Sequence, residues 1–396
     1  LTHEDIANRF AELIQKLQSK TQQPVVILID EYDKPILDNI EKTDIALEIQ
    51  EGLKNIYSVI KDSDAYIKFA LLTGVSKFSK VSLFSGLNNL KDISLDKRYA
   101  TLCGYMLIEI KTLFVDKIEN VDFHKLAEWY NGYNFCGEKV YNPFNVLLYL
   151  DNRVFKNYWF ETGNTSFLLK VIRERKFYLP DTEYIIISEA DLGTFDINEV
   201  TLEALLFQAG YLTIHSIDEF GDDFFYHLTY PNREVRASLN RCFLQDLTQS
   251  TPSHAAQNHR KLFKALESEN CEALKQSLEM LFAGIPNDWY RKNSMANYEG
   301  YYASIIYSCF YSLGLKVIAE DVTNKGRIDL TIFLNENIYI IEFKVISGSK
   351  KGHALAQIKE KNYAKKYQHQ NKNVFLVGIE FDKVQRNITQ FDWEKI

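Results

Sequence analysis

A chain of 396 residues, 46% hydrophobic and 25% charged, has the composition of a soluble globular protein with two or three domains, each long enough for its own core. No window reaches 18 consecutive apolar residues, and the opening LTHEDIANRF has neither a basic nor an apolar leader region, so neither a membrane-spanning helix nor a signal peptide is expected. A net charge of −7 argues against a protein that coats nucleic acid indiscriminately. The cysteines (103, 136, 242, 271 and 309) form no Cys-x-x-Cys pair, which argues against zinc or a disulfide framework and for a reducing cytoplasm.

Residues 4–18 place Ile6, Phe10, Leu13 and Leu17 at helical spacing. After Pro24, Val25-Val26-Ile27-Leu28-Ile29 reads as a strand of a parallel sheet, buried on both faces. It ends in Asp30-Glu31, the Walker B pattern, where Asp holds the Mg²⁺ of a nucleotide and Glu orients the attacking water. A buried strand running out into an acidic loop has the same letters. A helix over 44–62 and a second buried strand, Tyr66–Thr73, follow. That strand ends at Gly74-Val75-Ser76-Lys77, on the carboxyl edge where open α/β sheets bind ligands. Thr73 or Ser76 there suits either the sensing of a terminal phosphate or a plain strand exit.

None of the 17 glycines heads a Gly-x4-Gly-Lys-[Ser/Thr] phosphate cradle; Gly132-x4-Gly137 comes nearest and continues Glu138-Lys139. Without that cradle Asp30 and Glu31 have little to act on. ATP is therefore expected as a ligand only if an N-terminal segment carrying the cradle is present, and the lack of an initiator Met agrees with a missing segment. Trp129–Phe135 is an aromatic turn around Gly132 that suits a packed helix connection better than a base-stacking platform. From there to about 290 the pattern is mainly helical. A hairpin interrupts it at 211–230 around Gly221-Asp222-Asp223, and helical runs at 233–248 and 256–282 suggest a linker or lid. Gly284-Ile285-Pro286-Asn287 has turn chemistry, so the expected division is 1–150, 151–285 and 286–396.

The last quarter differs in charge: residues 297–396 hold 14 Lys+Arg against 11 Asp+Glu. Asn297-Tyr298-Glu299 opens an apolar helix over roughly 299–313. Then GRIDLTIFLNENIYIIEFK, 326–344, reads as two strands joined by a polar turn at Asn335-Glu336-Asn337. Arg327, Asp329 and Thr331 share one face of the first strand, and Ile340, Glu342 and Lys344 one face of the second. Hairpin pairing therefore brings Asp329 near Glu342 and Lys344. Two carboxylates and a lysine suit metal-assisted phosphodiester cleavage: oxygen ligands hold Mg²⁺, and the lysine orients water or offsets developing charge. Solvated strand faces would give the same spacing. A helical pattern over 354–367 carries Gln357, Lys361 and Tyr363, and a strand follows at 374–379. Lys350, Lys351, Lys359, Lys361, Lys365 and Lys366 belong to a basic stretch suited to tracking phosphates, or to a solvated helix face.

The order of helix, three strands, helix and strand, with Glu299, Asp329, Glu342-x-Lys344 and Gln357 in sequence, resembles the PD-(D/E)XK nuclease superfamily, with Ile328 where its Pro stands. IDEYDKPI, LLTGVSKFSKVSLFSGLNNLKDIS, YATLCGY and EWYNGYNF resemble bacterial AAA-ATPase-like proteins that carry such a domain at the C-terminus, and this likeness covers essentially the whole chain. The resemblance implies an α/β protein: an incomplete P-loop-type parallel-sheet domain, a mainly helical extension and a PD-(D/E)XK-like nuclease domain. It implies Asp329 and Glu342 as metal ligands for Mg²⁺ or Mn²⁺, Lys344 as catalytic lysine, and Glu299 and Gln357 as accessory residues. The expected activity is DNA cleavage, with RNA less favoured. The competing expectation is a catalytically silent nucleic-acid-binding or nucleotide-sensing switch.

Overall fold

The computed structural model describes residues 3–40, 42–75, 89–159, 172, 182, 185–192, 201–285, 299–346 and 353–396. They divide into two compact units: one of residues 1–122, 131–146 and 184–231, the other of 123–130, 147–183 and 232–396. Among the described residues no helix is long and apolar enough to cross a membrane.

In the first unit, helices α1 (His3–Thr21) and α2 (Thr43–Asp62) pack together through apolar stripes that bury Ile14 and Ile60. Strands β1 (Val25–Ile29) and β2 (Ile67–Leu72) pair in parallel, Ile27 against Ala70 and Ile29 against Leu72. The expected burial of β1 on both faces is corrected. Ile27 is buried, whereas Val26 is 52% and Leu28 69% exposed, because among the described residues helices cover only one face of this two-stranded sheet. A separate antiparallel sheet has the order β3 (Ile185–Ser188), β5 (Asp223–Thr229), β4 (Thr213–Phe220). The expected hairpin is its β4–β5 arm, and Gly221 supplies the left-handed φ of 65° that its two-residue turn requires.

The second unit centres on a five-stranded mixed sheet in the order β10 (Asn387–Lys395), β9 (Asn373–Asp382), β8 (Asn337–Ile346), β7 (Gly326–Leu334), β6 (Lys316–Thr323). Only β8 and β9 run parallel. One face carries α5 (Cys271–Ala283) and α6 (Glu299–Ser312), with α4 (Pro252–Glu267) packed on α5 and α3 (Arg233–Thr248) packed on α6: Tyr302 stacks on Phe381 at 4.3 Å, and the Tyr339 hydroxyl donates to the Leu266 carbonyl at 2.7 Å. The other face is covered by α7 (Ala354–Lys361), whose Ile358 joins Ile338, Ile340, Val374 and Leu376 in a dry cluster. Each such aliphatic side chain contributes about 1.5–3 kcal/mol on burial.

Three elements differ from expectation. The helical run over 256–282 is two helices, because Asn270 accepts the Ala273 N–H and caps a new start after Glu269 turns left-handed. The helix expected over 354–367 ends at Lys361, where Asn362 adopts φ 52°. Strand β10 is additional to the expected elements; Phe391 and Trp393 alternating with Asp392 and Glu394 are its only signal in the sequence. The aromatic turn is packed: Tyr130 is fully buried and stacks near-parallel on Phe155.

Candidate active site

The hairpin of β7 and β8 turns at Asn335-Glu336, one residue shorter than the expected turn because Asn337 already belongs to β8, with Asn335 at φ 52°. Its register pairs Leu334 with Asn337 and Leu330 with Ile341, so the next step brings Asp329 level with Glu342 on one face. Instead of a further ladder bond, the Phe343 N–H donates to Asp329 Oδ2 at 2.7 Å. Glu320, opposite Asp329 on β6, has φ 50°, so the ribbon bends away from regular pleating at this level.

Glu342 is 1% exposed. Gln357 of α7 donates its amide N–H to Glu342 Oε1, and the Lys344 ammonium lies 3.8 Å from the same oxygen. The register also pairs Glu342 with Gly378 and Lys344 with Glu380 on β9. A Cβ at Gly378 would lie 2.3 Å from the Leu355 backbone nitrogen, so the bare glycine lets α7 descend until Gln357 reaches Glu342. Buried Glu380 accepts the Ala354 N–H at 3.3 Å and fixes the start of that helix.

Four of the sequence-derived residues, Asp329, Glu342, Lys344 and Gln357, therefore share one neighbourhood. Glu299 opens α6, and its side chain lies outside the described residues, as do Ser76, Lys350 and Lys351. Lys359 pairs with Glu394, and Lys366 pairs with buried Asp321, which also accepts hydroxyls from Thr331 and Tyr367. Both lysines thus already face carboxylates. Lys361 and Lys365 are exposed, with no carboxylate partner among the described residues.

Sequence reading assigns no role to Tyr363 or Glu380. The Tyr363 hydroxyl donates to the Arg327 carbonyl at 2.9 Å, and its pKa is raised by burial first and then by the Glu342 charge, against a hydrogen bond to Gln357. The tight turn after α7 that brings it here has no periodic signal. Glu380 is hidden inside an apolar strand.

Among the described residues no group of three or more His, Cys, Asp or Glu is arranged to enclose a metal ion. Two carboxylates facing each other fit a hard cation better than a soft one, since Mg²⁺ keeps waters and takes substrate phosphate oxygens for the rest of its shell.

In the first unit, Asp30 accepts the Thr73 hydroxyl at 2.5 Å and the Glu31 N–H at 3.0 Å, so these strand-end residues do meet. Glu31 adopts φ 50°, and buried Asp33 accepts the Val75 N–H at 3.2 Å, pinning the two strand exits together.

A mixed sheet carrying facing Asp and Glu, a lysine two residues on and a glutamine lowered from the following helix has the features of the PD-(D/E)XK class. Residues 297–391 match the PD-(D/E)XK nuclease superfamily, and residues 1–84 match the AAA-ATPase-like family, described as predicted AAA-ATPase. A protein of Azotobacter chroococcum mcd 1, described as an uncharacterized protein in the vnfD 5′ region, is 47% identical over 388 residues, 98% of this chain and 75% of that protein. The chain belongs to the same family as that protein, with an AAA-ATPase-like N-terminal region and a PD-(D/E)XK nuclease-superfamily domain at the C-terminus. No solved structure matches it.

Proposed function

We propose that this protein hydrolyses phosphodiester bonds in DNA with the help of Mg²⁺ or Mn²⁺. The observation that carries the reading is the facing of Asp329 and Glu342, with the Lys344 ammonium 3.8 Å from Glu342. Asp329 and Glu342 would hold the metal, which when bound polarises the phosphoryl oxygen and acidifies an attacking water. Lys344, one-third exposed at the side chain, would orient an attacking water and offset charge on the phosphate. Gln357 fixes the rotamer of Glu342, and Asp329 is held by the Phe343 N–H, so both oxygens are presented without a search over side-chain conformers. Exposed Lys361 and Lys365 would meet the nucleic-acid backbone, and Glu299, at the head of α6, completes the set by resemblance. Asp30, Glu31 and Thr73 are proposed as the acidic edge of a nucleotide site that works only with a phosphate cradle supplied by further chain. Five free cysteines fit a reducing cytoplasm.

The test is cleavage of labelled single-stranded, double-stranded and branched DNA with Mg²⁺ or Mn²⁺, alongside Glu342→Ala and Lys344→Ala. Metal-dependent cutting abolished in both variants supports the nuclease. Binding without cutting under every condition, including added ATP and an extended N-terminus, would leave a nucleic-acid-binding switch as the better account.

A further inference from the structure

Where α3, α4 and the end of α6 meet within the second unit, a pocket of about 340 Å³ is lined by Arg241, His259, Arg260, Phe263, Lys264 and Glu267. None of these belongs to the Asp329–Glu342 site. The spacing of residues 259, 260, 263, 264 and 267 puts five of them on one face of α4. Arg241 comes from α3 and is half-buried. One of its Nη groups donates to the Ser312 carbonyl at 3.3 Å, and its Nε–H is buried with no acceptor among the described residues.

The Nε–H is closed off from solvent, so what Arg241 presents to the pocket is its positive charge and the Nη end of its guanidinium. The pocket offers three cations against the single carboxylate of Glu267. His259 is held neutral. Burial and then the Arg241 charge bring its pKa down to about 4, and its Nε2 lies 2.9 Å from the Ser312 hydroxyl, which itself donates to the Cys309 carbonyl at 2.7 Å. The hydroxyl proton being used there, His259 Nε2 carries the hydrogen of the shared bond. A neutral imidazole beside three cations leaves the pocket short of negative charge.

We propose that this pocket is a second anion site that binds a phosphate group through Arg241, Arg260 and Lys264. Arg241 provides a guanidinium Nη end whose N–H groups suit phosphate oxygens, and the two α4 cations close the rim. The phosphate would be either a backbone phosphate of nucleic acid held away from the cutting site or a small free phosphate. Phe263, half-buried in the same wall, gives a face on which a base can rest.

The test uses the full chain in EDTA, so that no cutting intervenes. Inorganic phosphate and a short single-stranded DNA are titrated by calorimetry and thermal melting into the parent chain, Arg241→Met and Arg260→Ala/Lys264→Ala. Phosphate should raise the parent melting temperature and shift the NMR titration of His259 upward, toward its ordinary range. Arg241→Met should bind about tenfold or more weakly and show neither response. Its melting temperature without phosphate should stay near the parent's, because losing the donor to the Ser312 carbonyl is offset by removing a buried N–H with no acceptor. Oligonucleotide binding that depends on Arg241 and is displaced by phosphate identifies the backbone source; phosphate binding that the oligonucleotide does not disturb identifies the free ion. The proposal is overturned if neither probe depends on Arg241, or if Arg241→Met lowers the melting temperature equally with and without phosphate. The latter would reduce Arg241 to a structural donor for Ser312. Glu342→Gln should leave this binding unchanged, so failure here is separable from failure of the nuclease reading.

Discussion

Glu342 and Lys344 are two residues apart on one strand, yet their surroundings differ: the carboxylate is buried under Gln357 and the ammonium reaches solvent. Glu342→Gln keeps the shape while removing the charge, so cleavage should fall at least about a hundredfold with melting temperature retained. Lys344→Ala should reduce turnover by a similar factor while leaving metal affinity near the parent value. Calorimetric Mn²⁺ titration beside single-turnover cleavage separates the two roles.

His259 makes a prediction of another kind. Its folded pKa of about 4 lies below its ordinary value of 6.5, so between these values the unfolded chain binds more protons than the folded one. Its neutral state therefore contributes stability that is fully present above the ordinary pKa and is lost as pH falls through the folded value. Arg241 from α3, Ser312 from α6 and Arg260, Lys264 and Glu267 from its own helix surround it, and the cations among them act in the same direction. Lowering pH from 7 to 5 should cost on the order of 1–2 kcal/mol through this residue alone. Urea midpoints of the parent should fall over that interval more than those of His259→Gln.

At the scale of elements, the site depends on how closely α7 approaches the sheet. Gly378→Ala places a methyl group against the Leu355 backbone and should destabilise the second unit by about 1–3 kcal/mol. It should also lower cleavage by lifting Gln357 off Glu342, visible as a reduced urea midpoint and a slower single turnover. The lysines beyond this helix are not equivalent. Lys359 and Lys366 are committed to Glu394 and Asp321, whereas Lys361 and Lys365 face solvent. Replacing Lys361 and Lys365 with Ala should flatten the logarithmic salt dependence of duplex DNA binding by about 0.9 for each phosphate no longer neutralised. Replacing Lys359 should change it less. The alternation of 326–344 made the hairpin legible, because a period of two assigns every side chain to a face once the turn is found. The break at Asn362 and the second start at Asn270 were not legible, because one left-handed residue ends a helix without disturbing the apolar period on either side.

Across the whole molecule, each unit buries its own core, and the two candidate chemistries fall in different units: Asp30 and Thr73 in the first, Asp329 and Glu342 in the second. The charge follows the same division, since an acidic chain of net −7 ends in 100 residues where basic groups outnumber acidic ones. The sequence by itself determined the local terms: strand periodicity, the Asp-Glu strand exit and the Asp, Glu-x-Lys and Gln spacing with its family likeness. These depend on residue type and on separations within one element. Tertiary structure alone decided which residues meet. It paired Lys366 with buried Asp321, brought Tyr363 and Glu380 to the site, left Val26 and Leu28 exposed, and gathered Arg241 and His259 into one pocket. Such meetings join positions tens of residues apart, and only the pairing register and helix docking, set by packing of the apolar faces, select among the many encounters that one sequence permits.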